Sequence, residues 1–278
     1  VLKLLSFLGL LGVALPGAAQ VPGRTMQRVH WPLVDFVVFG DSARGVYLIA
    51  LPDPPTWPAL GKASTLALRF DAVPARRWSA GVAAVLDSVS RLAPKERSPF
   101  QTTPLAAGGG RGCLLVGLPP EASRETPFVV VVLDSACAGT GAVRGWRSAA
   151  SADQLRELLT ALDGAAQQAP DDADAAMRDG DTLYDAFAVD APPTLRREAP
   201  PGYPLGGAMR SARVLVEFVV DTTGTVLPET FRVILSDGRG FAEAARATVL
   251  HSTFEPGRLH GRPVKVRLWR WFLFDAGP

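Results

Sequence analysis

Cysteine and histidine are scarce in this 278-residue chain, which has two of the first, Cys113 and Cys137, and three of the second, His30, His251 and His260. Neither a Cys-x-x-Cys pair nor two closely spaced histidines occurs, so the ligand spacings that build zinc sites are missing and no metal or other cofactor is expected. Net charge is scarce too: 29 basic side chains against 27 acidic ones leave +2. The bases are scattered rather than gathered into a stripe, which argues against a nucleic-acid partner. A long apolar run opens the chain, where residues 4–15 lie behind Lys3 and ahead of Pro16-Gly17-Ala18-Ala19. These twelve residues fall short of the about 20 that a spanning helix needs. The pattern reads as a secretory signal peptide over residues 1–19, cut near Ala19, with a short uncleaved anchor as the alternative. No cysteine follows the run, so a lipoprotein anchor is not supported.

What is present is apolar enough to fold. Hydrophobic residues make up 47% of the chain, and its length suffices for two modest domains with a core each. Residues 34–40 and 46–51 are apolar runs about Asp41-Ser42-Ala43-Arg44-Gly45, the pattern of two strands and a turn. Residues 64–71 alternate and put Leu66, Leu68 and Phe70 on one side. Trp78, Val82, Val85, Leu86 and Val89 recur at helical spacing, which predicts a helix from after Pro74 to about Leu92. A second helix is expected over residues 151–166, capped by Ser151 or Asp153, with Leu155, Leu158, Leu159 and Leu162 on its apolar face. Residues 24–165 thus read as an α+β domain in which both helices cover one face of an antiparallel sheet.

The two cysteines lie in or just beyond apolar runs, residues 112–118 and 128–133, that suit a hairpin. Opposing Leu118 with Phe128 leaves Cys137 four positions past the partner of Cys113. With a small register offset the two can form a cross-strand disulfide, as an exported chain would allow; two buried thiols are the alternative. Eight aspartates between residues 163 and 190 face one base, Arg178. Such a segment repels itself and stays solvated, so residues 166–190 read as an acidic linker with a short helical turn near residues 183–187.

Catalytic patterns are incomplete. Residues 37–42, Val-Val-Phe-Gly-Asp-Ser, look like the nucleophile block of the GDSL hydrolases, in which Ser42 would attack an ester. The partners are missing, since no histidine follows an aspartate by three positions, and a polar turn explains Ser42 more cheaply. No Walker loop is present, because Thr56 stands at the first glycine position before Gly61-Lys62. No catalytic residue is assigned, and the chain is expected to bind rather than to catalyse.

The last third carries the most order. Pro192-Pro193 and Tyr203-Pro204 precede an alternating strand over residues 213–221, closed by Val220-Asp221-Thr222-Thr223-Gly224. A second strand over residues 230–236 leads to an alanine-rich helix over residues 241–249. Then come Phe254-Glu255-Pro256-Gly257, Gly261-Arg262-Pro263-Val264 and a strand ending in Trp271-Phe272-Leu273-Phe274. In these spaced elements, Tyr203, Pro204, Asp221, Gly224, Phe254, Pro256, Gly257, Gly261 and Pro263, residues 191–278 resemble the C-terminal domain of the TonB family. The position ahead of the first strand, commonly glycine in that family, is Ala212 here.

The resemblance implies a small antiparallel sheet packed on helices, and a last strand that pairs with an extended peptide of an outer-membrane receptor or another envelope protein. Lys265, Val266, Arg267, Leu268, Trp269, Arg270 and Trp271 would be the contact residues. By alternation Val264, Val266, Leu268, Phe272 and Phe274 face the helix, while Lys265, Arg267, Trp269, Trp271 and Leu273 face away. Arg270 interrupts the first face, so a bulge or twist is expected there. Trp269 and Trp271 either read a partner or complete a core with the rest of the chain. The whole then reads as a periplasmic binding protein. Inner-membrane anchoring with motor partners, or envelope assembly through a homodimer of last strands, are the alternatives.

Overall fold

A computed structural model describes residues 26–32, 34–52, 66–108, 112–119, 128–133, 145–171, 183–200, 202–204 and 212–274. The proposed leader and Cys137 lie outside the described residues. The fold is α+β.

Strands β1 (Met26–Trp31), β2 (Val34–Asp41), β3 (Gly45–Pro52) and β4 (Leu66–Phe70) form an antiparallel sheet in sequence order. The Asp41-to-Gly45 turn forms as expected, with Arg44 N donating to Asp41 O and Gly45 at φ 122°. Helix α1 (Ala72–Ser90) begins before Pro74, not after it. Pro74 sits in the first turn, where its missing N–H leaves no intrahelical bond unmade. Strands β5 (Phe100–Gln101) and β6 (Leu105–Ala106) both pair with β7 (Cys113–Leu118), which continues through β8 (Phe128–Leu133) to β9 (Gly145–Ala150) as a second antiparallel sheet. Helix α2 (Ala152–Ala166) is capped by Ser151, whose hydroxyl accepts from Gln154 N while the Gln154 side chain accepts from Ser151 N.

The inward side chains of both sheets and both helices share one core, with Phe36, Val38, Leu48, Phe70, Leu86, Val116, Phe128, Leu155, Leu158 and Leu162 all buried. Helix α2 lies across β1 to β3. A Cβ on Gly40 would stand 2.2 Å from Ala165 O, so glycine sets how near the end of α2 approaches β2.

The C-terminal sheet runs in the order β10 (Leu183–Asp185), β17 (Lys265–Phe274), β12 (Ala212–Val220), β13 (Val226–Ser236). β12 and β17 are antiparallel in unbroken register from Ala212 opposite Phe274 to Val220 opposite Val266. No bulge forms at Arg270. Its guanidinium stays on the helix-facing side, over the Phe272 ring and paired with Glu198. The irregularities fall between β12 and β13 instead. β13 also starts four residues before the expected strand, because Pro228 sits on a sheet edge where its missing N–H is tolerated. Helix α3 (Arg239–His251) packs Phe241, Ala245, Thr248 and Val249 under Val214, Val216, Phe218, Phe272 and Phe274. Two small ladders, β11 (Thr194–Arg197) with β14 (Thr253–Glu255) and β15 (Arg258–Leu259) with β16 (Arg262–Pro263), complete the module.

The outer faces of the β1–β4 sheet and of the C-terminal sheet pack on each other. Val37, Phe39, Tyr47, Ile49 and Leu51 of the first meet Leu215, Ile234, Leu235 and Trp269 of the second in a separate buried cluster. Across β1–β4 and the C-terminal module the layers are therefore helix, sheet, sheet, helix, with a core between each adjacent pair, and the β5–β9 sheet joins the first of these cores.

Candidate binding edge and domain seam

The motif residues of the C-terminal module hold its loops together. Asp221 Oδ1 accepts from Thr223 N, Thr223 Oγ1 and Thr225 N, closing the turn after β12. Burial pushes that carboxyl up, but these bonds outweigh it and hold the group below the usual carboxylate range. Gly224, at φ 87°, is buried against β14: Phe254 N donates to Gly224 O, and a Cβ on Gly224 would stand 1.9 Å from Phe254 O. Pro256 lies 3.6 Å from the same position. A Cβ on Gly257 would meet Val266 at 2.5 Å and Pro193 at 3.0 Å. Tyr203 stands edge-on to Phe241 at 5.5 Å, and Pro204 backs Gly240. Gly261, at φ 75°, turns β15 into β16, where Pro263 pairs with Arg258.

The last strand has two stretches of unlike environment. At Lys265, Val266 and Arg267 its outer edge is taken by β10, which runs parallel with Leu183, Tyr184 and Asp185 as partners. The acidic segment thus ends in a strand followed by the 3-10 turn Ala186–Ala188, where a helical turn is expected from the sequence. From Leu268 to Phe274 the strand pairs with β12 on one side, and among the described residues no strand pairs with its other edge. The seam-facing side chains are covered in both stretches. Arg267 and Trp269 are buried, and Trp269 sits 5.4 Å from the Tyr47 ring. Trp271 is half-buried beside the same cluster, with the Arg213 guanidinium 6.0 Å from its ring. The two tryptophans thus complete a core with the N-terminal domain.

The seam has charged ends. Asp35 and Asp41 lie on the β2 face that also presents Val37 and Phe39, six positions apart. Asp35 receives Arg28 through two bonds, at 2.8 and 3.3 Å, and His30 Nδ1 at 2.7 Å; across the seam Arg213 approaches to 3.0 Å. Burial pushes the Asp35 carboxyl up, but the bonds from Arg28 and His30 and the charges of Arg28 and Arg213 hold it below its ordinary range. At the other end Arg267 stands 3.6 Å from Asp41 and 3.7 Å from Asp185. Arg267 is the register partner of Val219, six positions beyond Arg213 on β12. The matched spacing lays β2 along β12, the aligned packing that two twisted sheets favour.

Asp185 is fully buried, and its Oδ2 accepts from the Tyr47 hydroxyl at 2.7 Å. Arg44 Nη1 donates to Leu183 O at 3.1 Å, and Trp269 Nε1 donates to Glu217 Oε2 at 3.1 Å. Burial works against the Arg267 charge, yet Glu217, Tyr47, Asp185 and Asp41 together raise its pKa above the ordinary value. Burial, followed by the Asp185 charge, pushes the Tyr47 phenol well above its ordinary range, so it stays a donor. Burial and the neighbouring Arg267 pull Arg44 down.

Sequence reading missed this cluster, although period two already sets Asp35, Val37, Phe39 and Asp41 on one face. Of the other sequence candidates only His30 reaches it, through Asp35. Ser42 is exposed in the hairpin turn, His30 binds Asp35, His251 binds Ala247 O, and His260 sits in the β15–β16 turn. Cys113 is buried opposite Leu133. Among the described residues no helix is long and apolar enough to cross a membrane. Comparison of the chain with known protein families and with curated proteins returns no match.

Proposed function

We propose that this is a TonB-like periplasmic binding protein that takes an extended peptide of an outer-membrane receptor, or of another envelope partner, by strand addition to β17. The observation that carries it is the edge from Leu268 to Phe274, which no strand occupies among the described residues while its other side is locked to β12. Unpaired backbone groups along such an edge supply affinity, and flanking side chains supply selectivity. The test is a titration of isotope-labelled protein with synthetic peptides from the periplasmic N-termini of outer-membrane receptors. Protection and shift changes of amides 268–274, abolished in a folded Leu268→Pro variant, are expected. Binding that survives that proline sinks the reading.

A second reading, an envelope assembly protein, is favoured by the seam, where the far face of the module is already committed to its own N-terminal domain. It predicts a homodimer through β17 in sedimentation, with no peptide response. Anchoring with motor partners is a third course, and an intact mass that retains residues 1–19 would point to it.

A further inference from the structure

A partner strand that ran the whole length of β17 would meet β10 at Lys265 to Arg267. Among the described residues three residue pairs hold β10 in that ladder, and its side-chain anchors come from both domains: Tyr47 from the first sheet, Arg44 from the β2–β3 turn, Arg267 from the last strand. The pocket for Asp185 therefore exists only while the two sheets are docked. A hydroxyl donor and a guanidinium converge on one carboxylate there, a chemistry that reads an acid and not an apolar side chain.

We propose that β10 is a displaceable internal occupant of this edge, and that the place it fills accepts an extended peptide running parallel to β17 with a carboxylate side chain at the position of Asp185. The proposal rests on the reading of β17 as a strand acceptor. Two features favour exchange. The Arg267 to Asp185 contact at 3.7 Å is longer than a hydrogen bond, and neither Asp185 Oδ1 nor Arg267 Nη1 makes a hydrogen bond among the described residues. A partly satisfied buried network costs stability that a better-fitted ligand recovers. Withdrawing Asp185 with nothing in its place would leave Arg267, already 95% shielded, with one countercharge fewer. An acidic strand is thus the fitting replacement.

The experiment uses the full chain and a labelled peptide of residues 181–189, in an aspartate form and a form with asparagine at position 185. Anisotropy reads affinity, and hydrogen exchange reads the β10 amides. In wild type β10 competes, and the peptide binds weakly. Asp185→Asn in the full chain should speed exchange at residues 183–185 at least about tenfold and tighten the aspartate peptide by about tenfold, with the asparagine peptide about tenfold weaker. Tyr47→Phe, which removes one hydroxyl, serves if Asp185→Asn does not fold; it should speed β10 exchange while weakening discrimination between the peptides. Unchanged β10 exchange, no binding to the opened chain, or equal binding of both peptides overturns the proposal. A receptor peptide that protects amides 268–274 without altering β10 exchange overturns it and leaves the strand-addition reading standing. Binding of the 181–189 peptide with no receptor peptide bound upholds the proposal and β17 as a strand acceptor, and overturns the receptor as its partner.

Discussion

The Tyr47 hydroxyl and the Asp185 carboxylate, 138 residues apart in sequence, meet at 2.7 Å between the two sheets. Through that bond, and through Arg44 to the Leu183 carbonyl, the N-terminal domain holds the strand that borders β17. The stability of the seam and the accessibility of the edge are therefore coupled.

The first prediction concerns alkali. A phenol whose pKa is raised in the folded state contributes stability that is complete below its unfolded value of about 10 and is lost as pH rises through the folded value. One of the three tyrosines should then ionise only as near-ultraviolet dichroism collapses. Tyr47→Phe should remove that late step and cost about 1.5–3 kcal/mol in urea unfolding at neutral pH. A tyrosinate spectrum complete before the collapse would contradict it.

The second concerns acid. The Asp35 pKa is depressed, so its contribution is present above its unfolded value of about 3.9 and is lost as pH falls through the folded value. Asp35→Asn should cost about 3 kcal/mol at pH ~7, the low end for breaking a buried pair, because Arg28 and Arg213 keep some access to water. The wild-type advantage should shrink below pH ~4. Equal losses at both pH values would reject this account.

The third compares glycines. Gly224→Ala adds strain at φ 87° and a clash with Phe254 O, and should cost well over 2 kcal/mol. Gly261→Ala has a similar φ but open space, and should cost about 1 kcal/mol. Gly81→Ala lies in α1 with nothing within 4 Å, and should stabilise by about 0.4–1 kcal/mol. Thermal unfolding midpoints should follow that order.

The fourth concerns Trp269. Trp269→Ala empties the middle of the seam and leaves Glu217 without its indole donor, so a loss of about 3–5 kcal/mol is expected. Trp271→Ala, at a half-buried position, should cost distinctly less. Equal losses would show that the seam does not bear on stability as its burial implies.

The fifth concerns thiols. If Cys113 and Cys137 are joined, the intact mass after alkylation rises only when the protein is first reduced. Alkylation of both in the denatured, unreduced protein would show two thiols.

Most elements were legible because their signals are local. Ser151 with Gln154 spells a capping box, Leu66, Leu68 and Phe70 alternate, and Asp41 to Gly45 is a turn. The seam was not legible, since β2 is buried on both faces and its periodicity cannot say what covers the second. Nor was β10, whose three residues lie within an aspartate-rich stretch where average composition points to solvent. Among the described residues the partners of Asp185 are distant in sequence, and its burial follows from Tyr47 and Arg267, which only tertiary packing brings near.

The matched six-residue spacing of Asp35 to Asp41 on β2 and of Arg213 to Val219 on β12 works as a key. Sliding one sheet over the other by a single strand spacing, about 4.8 Å, would carry both arginines out of reach of both acids. The apolar middle, by contrast, would remain covered after such a slip, because a hydrophobic contact has no direction. Adhesion and alignment are thus assigned to different residues, and only one of the ways in which these two greasy faces could stick together keeps its charges paired.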